Sequence, residues 1–314
     1  MKGVVLLEEN SKNHVTVIGG ANIDIVARYA APQNHHSESH QGLVSTSAGG
    51  VARNIAENLA HLGRHVRLIC AMGDDDFAAT IKASLALPLI DTSACHVSSD
   101  AASDMYLNVF DHGGEVLHAI NTMALIDLLT PDYLKTFEDD LKSSALIVAD
   151  CNLSQDSLDW LVGLDGRPNI YCDGVSPEKI IKLKPHLGRI DGLKCNQKEA
   201  ADLLDLPPET APSDLMRQLV LQGISTVILS LGQNGVLCHK GGNEVTIPHP
   251  EKPQNIVSVS GAGDALFAGF IHGCLDGLPQ DQAIDLGMAA AQLTLSCPHA
   301  VNPDISSLTI SALA

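Results

Sequence analysis

The residues Ser260-Gly261-Ala262-Gly263-Asp264-Ala265 set small residues beside one carboxylate, ahead of an apolar run from Leu266 to Phe270. A small-residue loop that opens a helix presents unpaired backbone N–H groups and the positive end of the helix dipole. Together these hold a phosphate or another developing anion. Glycine at Gly261 and Gly263 lets the ligand approach the backbone, since no Cβ intervenes. Asp264 at the helix start is an ionised carboxylate that could accept a proton. An anion cradle beside a base is the equipment of a phosphoryl transferase. The hexapeptide also reads as a plain loop with an Asp near a helix start, so the choice rests on the rest of the chain.

Other residues could complete such a site. His14 to Gly20 (HVTVIGG) reads as a buried strand, with Asn22 and Asp24 just past its end. Open α/β sheets bind ligands there; a turn Asn and a helix-capping Asp are the plainer reading. Gly49 and Gly50 open a helix that runs to Gly63, with Val51, Ile55, Leu59 and Leu62 as its apolar stripe. Arg53 and Asn54 fall in its first turn, where they can face a ligand at the glycine end. Asn196 and Glu199 follow a strand and share one helical face. They read equally as a pair that holds waters around Mg²⁺ or as a capping box. Ser230-Leu231-Gly232-Gln233-Asn234-Gly235-Val236 is a strand–turn–strand, either a simple hairpin turn or a platform for a nucleotide edge. His35, His36 and His40 lie in a polar segment over 31–47, read as a solvated loop because no Cys or carboxylate pair completes a metal site.

Composition narrows the partners. The 314 residues include 19 Lys and Arg against 37 Asp and Glu, a formal charge of −18. So acidic a surface repels nucleic acid and anionic membranes. Phosphates must be held locally, and backbone N–H groups suit that task better than a lysine patch. Aromatic residues make up only 3% of the chain, which argues against a base-stacking platform. The eight cysteines lack any C-x-x-C spacing and mostly sit in apolar runs, as free buried thiols of a reducing cytoplasm do. The first ten residues are too short and too acidic for a signal peptide, and no apolar run reaches the ~20 residues of a membrane span. The expected location is cytoplasmic.

The elements that must position these residues alternate. Strands are expected at 145–150, 169–173, 192–196, 226–231 and 235–239, with a further strand at 67–71. Helices fit near 75–87, 131–142, 154–163, 177–187, 197–204, 213–222, 262–276 and 280–296. This alternation predicts a three-layer α/β/α sandwich with a mostly parallel central sheet, in one domain spanning 1–314. Met105 to Ile120 breaks the pattern. Its alternating residues and the turn Asp111-His112-Gly113-Gly114 predict a β-hairpin. With its apolar character on both faces, it reads as part of a lid, formed by about 31–47 and 101–121, or as the contact of a homodimer. There is no G-x-x-x-x-G-K-[ST] and no N-terminal G-x-G-x-x-G, which removes the P-loop and dinucleotide-binding readings.

Taken together, the stretch 258–271 (SVSGAGDALFAGFI), Gly49-Gly50 with Asn54, Asn22-x-Asp24, Asn196-x-x-Glu199 and Ser230-x-Gly232-x-x-Gly235 resemble, in order, the motifs of the ribokinase-like (PfkB) carbohydrate kinases. The match runs from about 14 to 304. It implies ATP as donor and a small sugar or nucleoside as acceptor. Asp264 would be the base, with Gly261, Ala262 and Gly263 as the anion hole. Asn22, Asp24, Gly49, Gly50 and Asn54 would form the acceptor pocket. Asn196 and Glu199 would organise Mg²⁺ through water, and Ser230, Gly232 and Gly235 would line the nucleotide. Within the family, the stretches 49–56, 147–152, 172–176 and 302–304, and the lid run from Gly114 to Asn121, look like the subgroup that phosphorylates the 5′-hydroxyl of pseudouridine. Three positions depart from the usual pattern. Ser260 stands where Thr is usual and keeps the hydroxyl. Cys195 replaces a Pro. Ser258 stands where Asp or Asn often precedes the anion hole, which leaves a need for a monovalent cation such as K⁺ open.

Overall fold

A computed structural model describes residues 14–32, 39–247 and 256–314. A nine-stranded sheet crosses it in the order Asn243–Ile247, Val236–Lys240, Thr226–Ser230, Gly192–Asn196, Ile170–Asp173, Leu146–Asp150, Val15–Ile18, Val66–Ile69, Ile90–Asp91. The first three strands pair antiparallel in succession, and every pairing from Thr226–Ser230 onward is parallel. The central strands are buried on both faces, so their sequences are continuous apolar runs. Alternate residues still divide between two cores. Val15, Val17, Leu146 and Val148 pack with the helices Val51–His61, Ala262–Leu275 and Gln280–Leu295. Ile18, Ile147 and Ala149 pack with Gln155–Gly163, Gln197–Leu203 and Pro212–Leu221 on the other face. This is the three-layer sandwich expected from the sequence.

The small residues of the Ala262–Leu275 helix serve its packing. A Cβ on Gly269 would come within 2.8 Å of the Gly287 Cα, so the two long helices touch backbone to backbone. That contact holds the helix, and with it Asp264, at a fixed depth.

A second sheet of four strands has the order Gly42–Gly49, Asn22–Tyr29, Met105–Phe110, Val116–Thr122. The expected hairpin is present as its last two strands. Its first two strands correct the sequence reading. Asn22 and Asp24 lie in a strand and not in a turn or helix cap, and 42–49 is a strand and not part of a loop. Both are mostly half-buried or exposed, so neither shows the apolar run of a core strand. His35 and His36 lie outside the described residues. Two helix expectations also change. The 131–142 helix is two short pieces, Pro131–Lys135 and Glu138–Ser143, and 177–187 is one α-turn followed by a 3₁₀ segment containing Pro185. The eight cysteines are free, and only Cys95 and Cys274 are part-exposed.

Candidate active site at the carboxyl ends of the strands

The strand Val15–Ile18 passes through Gly19-Gly20-Ala21 into the smaller sheet, and Gly50 leads back from it into the Val51–His61 helix. These crossings sit side by side. Arg53 N–H donates to the Gly20 carbonyl at 3.2 Å, and a Cβ on Gly50, at φ +100°, would overlap that same carbonyl. One buried carboxylate ties them together. Asp150, the last residue of its strand, accepts from Gly20 N–H at 2.8 Å, Ala52 N–H at 3.1 Å and Asn152 N–H at 2.8 Å. Burial pushes its carboxyl above the usual range against the pull of those N–H donors.

Asn22 and Asp24 meet Gly49 and Gly50 at this junction. Asn22 and Gly49 are paired across the two strands, and Asn22 Nδ2 donates to Asp24 Oδ1 at 2.8 Å. The Asp24 carboxylate lies flat against Gly49, where a Cβ would overlap it. Burial raises its pKa, opposed by the Asn22 bond and the Arg53 charge. A carboxylate with one oxygen committed and the other oxygen open is suited to accept from a vicinal diol.

Asp264 lies in the first turn of its helix, which has no side-chain cap. Gly261 is the N-cap in the left-handed conformation, φ +77°, and a Cβ there would overlap the Ala300 carbonyl. Only glycine fits both demands. Asn54 Nδ2 donates to Asp264 Oδ2 at 2.7 Å, so the second motif reaches the first directly. Burial pushes the Asp264 carboxyl up to about 7. The Lys194 charge and the Asn54 bond pull it down, while Asp173 and Asp150 push it up. A base poised near neutrality is what proton transfer at neutral pH requires.

Lys194 places a buried cation at the loop where the sequence pointed to backbone N–H groups. Its ammonium pairs with buried Asp173 at 3.0 Å, and a Cβ on Gly263 would come within 2.8 Å of it. Burial opposes its charge, yet Asp173, Asp264 and Glu199 hold its pKa above the ordinary range. A permanent cation therefore lies against the anion cradle. Asp150, Asp173 and Lys194 were not singled out from the sequence. The available signal was a charged residue inside or ending an apolar strand, as in Ile147-Val148-Ala149-Asp150 and Gly192-Leu193-Lys194-Cys195.

Asn196 and Glu199 form the capping box. Asn196 Oδ1 accepts from Glu199 N–H at 2.9 Å, and Glu199 Oε2 accepts from Asn196 N–H at 2.9 Å. Glu199 Oε1 takes the Asn196 amide at 2.6 Å. Burial raises the Glu199 pKa, with Lys194 pulling it down. Ser230 is the cross-strand partner of Asn196, and its hydroxyl donates to the Cys195 carbonyl at 3.3 Å. Gly232 and Gly235, at φ +58° and +88°, shape the turn after it. These residues line the strand ends beyond Lys194. Among the described residues no cluster of three or more His, Cys, Asp or Glu could hold a metal by itself.

Comparison with known proteins bears directly on this arrangement. The model of the pfkB family carbohydrate kinases matches residues 12–307. The chain belongs to this family. It is a phosphotransferase of an ATP-dependent kinase family, acting on a sugar or nucleoside hydroxyl. The pseudouridine kinase of Escherichia coli K12 is 31% identical over 96% of both chains. The guanosine-inosine kinase of Exiguobacterium acetylicum is 25% identical, covering 93% of this chain and 98% of its own. Among solved structures, a carbohydrate kinase from Agrobacterium tumefaciens aligns over 96% of both chains with a TM-score of 0.83 at 27% identity. A ribokinase from Arabidopsis thaliana, complexed with ribose and ATP, shares the fold at TM-score 0.84 and 18% identity, over 96% of this chain and 98% of its own. Among the described residues no helix is long and apolar enough to cross a membrane.

Proposed function

We propose that this kinase transfers the γ-phosphoryl group of ATP to the 5′-hydroxyl of pseudouridine. The observation that carries the reading is the 31% identity to a pseudouridine kinase over nearly the full length of both chains. The site supports it. Asp24 and Asn22 accept and donate at the ribose hydroxyls, and the bare backbone of Gly49 and Gly50 lets the sugar lie close. Asp264 takes the proton of the 5′-hydroxyl as that oxygen attacks phosphorus. The N–H groups of Gly261, Ala262 and Gly263 meet the charge that develops on the transferring group. Lys194 adds its fixed positive charge on the same side.

Mg²⁺ fits the donor set only through water, because a lysine already neutralises these carboxylates. Glu199 and Asn196 would hold its hydration shell, and the ion would shield the charge of the nucleotide phosphates. Ser230, Gly232 and Gly235 would border the nucleotide. The four-stranded sheet is the lid that keeps water from the phosphoryl group. Its exposed apolar residues, Leu43 at 76% and Ile120 at 61%, are the surface through which two copies would pair.

The test is an acceptor panel of pseudouridine, uridine, adenosine, guanosine, ribose and fructose with ATP and Mg²⁺, followed by ADP release. Pseudouridine should give the highest kcat/KM. A preference for another nucleoside or a free sugar would leave the kinase in place and sink the acceptor.

A further inference from the structure

The Val51–His61 helix carries a buried arginine that the reaction scheme leaves unused. Arg53 is 2% exposed and spends its whole guanidinium inside the protein. Nε donates to the Gly49 carbonyl at 3.0 Å. Nη1 donates to Glu57 and, at 3.2 Å, to the Ser84 hydroxyl. Nη2 donates to Asn54 Oδ1. The other end of the same amide, Asn54 Nδ2, donates to Asp264 at 2.7 Å.

The chemistry of these three groups allows one arrangement. A guanidinium has donors and no acceptor, and an ionised carboxylate has acceptors and no donor. An amide between them must turn its oxygen to the arginine and its NH₂ to the carboxylate. Turned over, it would set NH₂ against guanidinium and oxygen against carboxylate, losing both bonds and leaving buried groups unpaired. The NH₂ so aimed donates to the carboxylate and cannot accept a hydrogen bond from a protonated Asp264, so it favours the ionised base. The helix spacing supplies the geometry: Arg53 and Glu57 are four apart on one face, while Asn54 is rotated toward the site.

We propose that Arg53 is a positioning residue that locks the Asn54 amide with its NH₂ toward Asp264, keeping the base ionised and aimed. Through Gly49 the same guanidinium also fixes the strand end on which Asp24 rests. The inference rests on Asp264 as the base. The charged groups around Asp264 are Lys194 from Gly192–Asn196, Asp173 and Asp150 from the ends of their strands, and Arg53 itself. Arg53 therefore has two routes to Asp264, its charge and the amide, and the test must separate them.

The test compares Arg53→Lys and Arg53→Gln in the natural chain and in an Asn54→Ala background, reading the acid limb of kcat/KM against pH. Lysine keeps the charge and loses the fork; glutamine loses both. With the amide released, each should move the limb upward by about one pH unit, lowering kcat/KM roughly fivefold at pH 7 and roughly tenfold at pH values below the limb. In the Asn54→Ala background lysine should not move it further, and glutamine should move it only by the smaller amount that the lost charge supplies. A limb that stays in place, or that moves as far without Asn54, overturns the proposal. So does full rescue by lysine, which would leave charge as the only route. If Arg53→Lys does not fold, by its thermal transition, Arg53→Gln carries the reading alone. Altered acceptor KM could come from the Gly49 contact and does not count. Failure of the base assignment looks different, as full turnover by Asp264→Asn.

Discussion

The two sheets solve opposite problems. The large sheet buries both faces of its central strands, and its carboxyl ends carry Asp150, Asp173 and Lys194 in fixed contacts. The small sheet has one strand, Val116–Thr122, that is exposed along its whole length, and another, Gly42–Gly49, that is exposed along most of it. Charge can be held out of water only where packing prevents rearrangement, because an unpaired buried ion is costly. The large sheet and its helices are therefore where the proposed chemistry belongs. The small sheet can differ in residue choice without disturbing it, which suits a surface that selects the acceptor or meets a second copy. Asn22, Asp24 and Gly49 lie where the two sheets join, so the acceptor pocket proposed for them would draw on both.

The comparison breaks first at Asp264. Asp264→Asn keeps the shape and the anion cradle and removes the proton acceptor. Turnover should fall roughly 10²–10⁴-fold with nucleotide affinity largely kept, read by steady-state kinetics and calorimetry. Wild-type turnover in this variant would move the base elsewhere. A smaller effect belongs to the small sheet. Leu43→Ser with Ile120→Ser should leave the thermal transition close to that of the natural chain, since exposed positions contribute within about 0.5 kcal/mol. The expected change is a several-fold rise in acceptor KM and a monomer by sedimentation, with kcat little altered. A large loss of kcat would show that the small sheet takes part in the chemistry.

The same contrast decides what the sequence made legible. Apolar runs such as Leu146–Asp150 and Thr226–Ser230 announce the large sheet, because burial on both faces selects one residue class. The strands Asn22–Tyr29 and Gly42–Gly49 do not, since Thr46, Ser47 and their neighbours answer to solvent and to the site more than to a core. Gly261 and Gly50 were visible because left-handed backbone restricts the choice of residue. The roles of Asp150 and Lys194 were not. Asp150 serves N–H groups 98 and 130 residues away, and Lys194 reaches Gly263 across the chain, so only the fold brings the partners together. Asn54 was read as part of the acceptor pocket. Its amide also meets Asp264, 210 residues on, a contact that no spacing in the sequence announces.

The central claim is that burial among Asp150, Asp173 and Lys194 tunes Asp264 for proton transfer near neutrality. Its direct test is the pH dependence of kcat/KM for the acceptor in the free enzyme. Burial raises the Asp264 carboxyl to about 7, so the ionised base is present above that pH and is lost as pH falls through it. The account predicts an acid limb centred near pH 7 that disappears, with most of the activity, in Asp264→Asn. Full activity held down to pH 5, the behaviour of an unperturbed carboxylate, would contradict it.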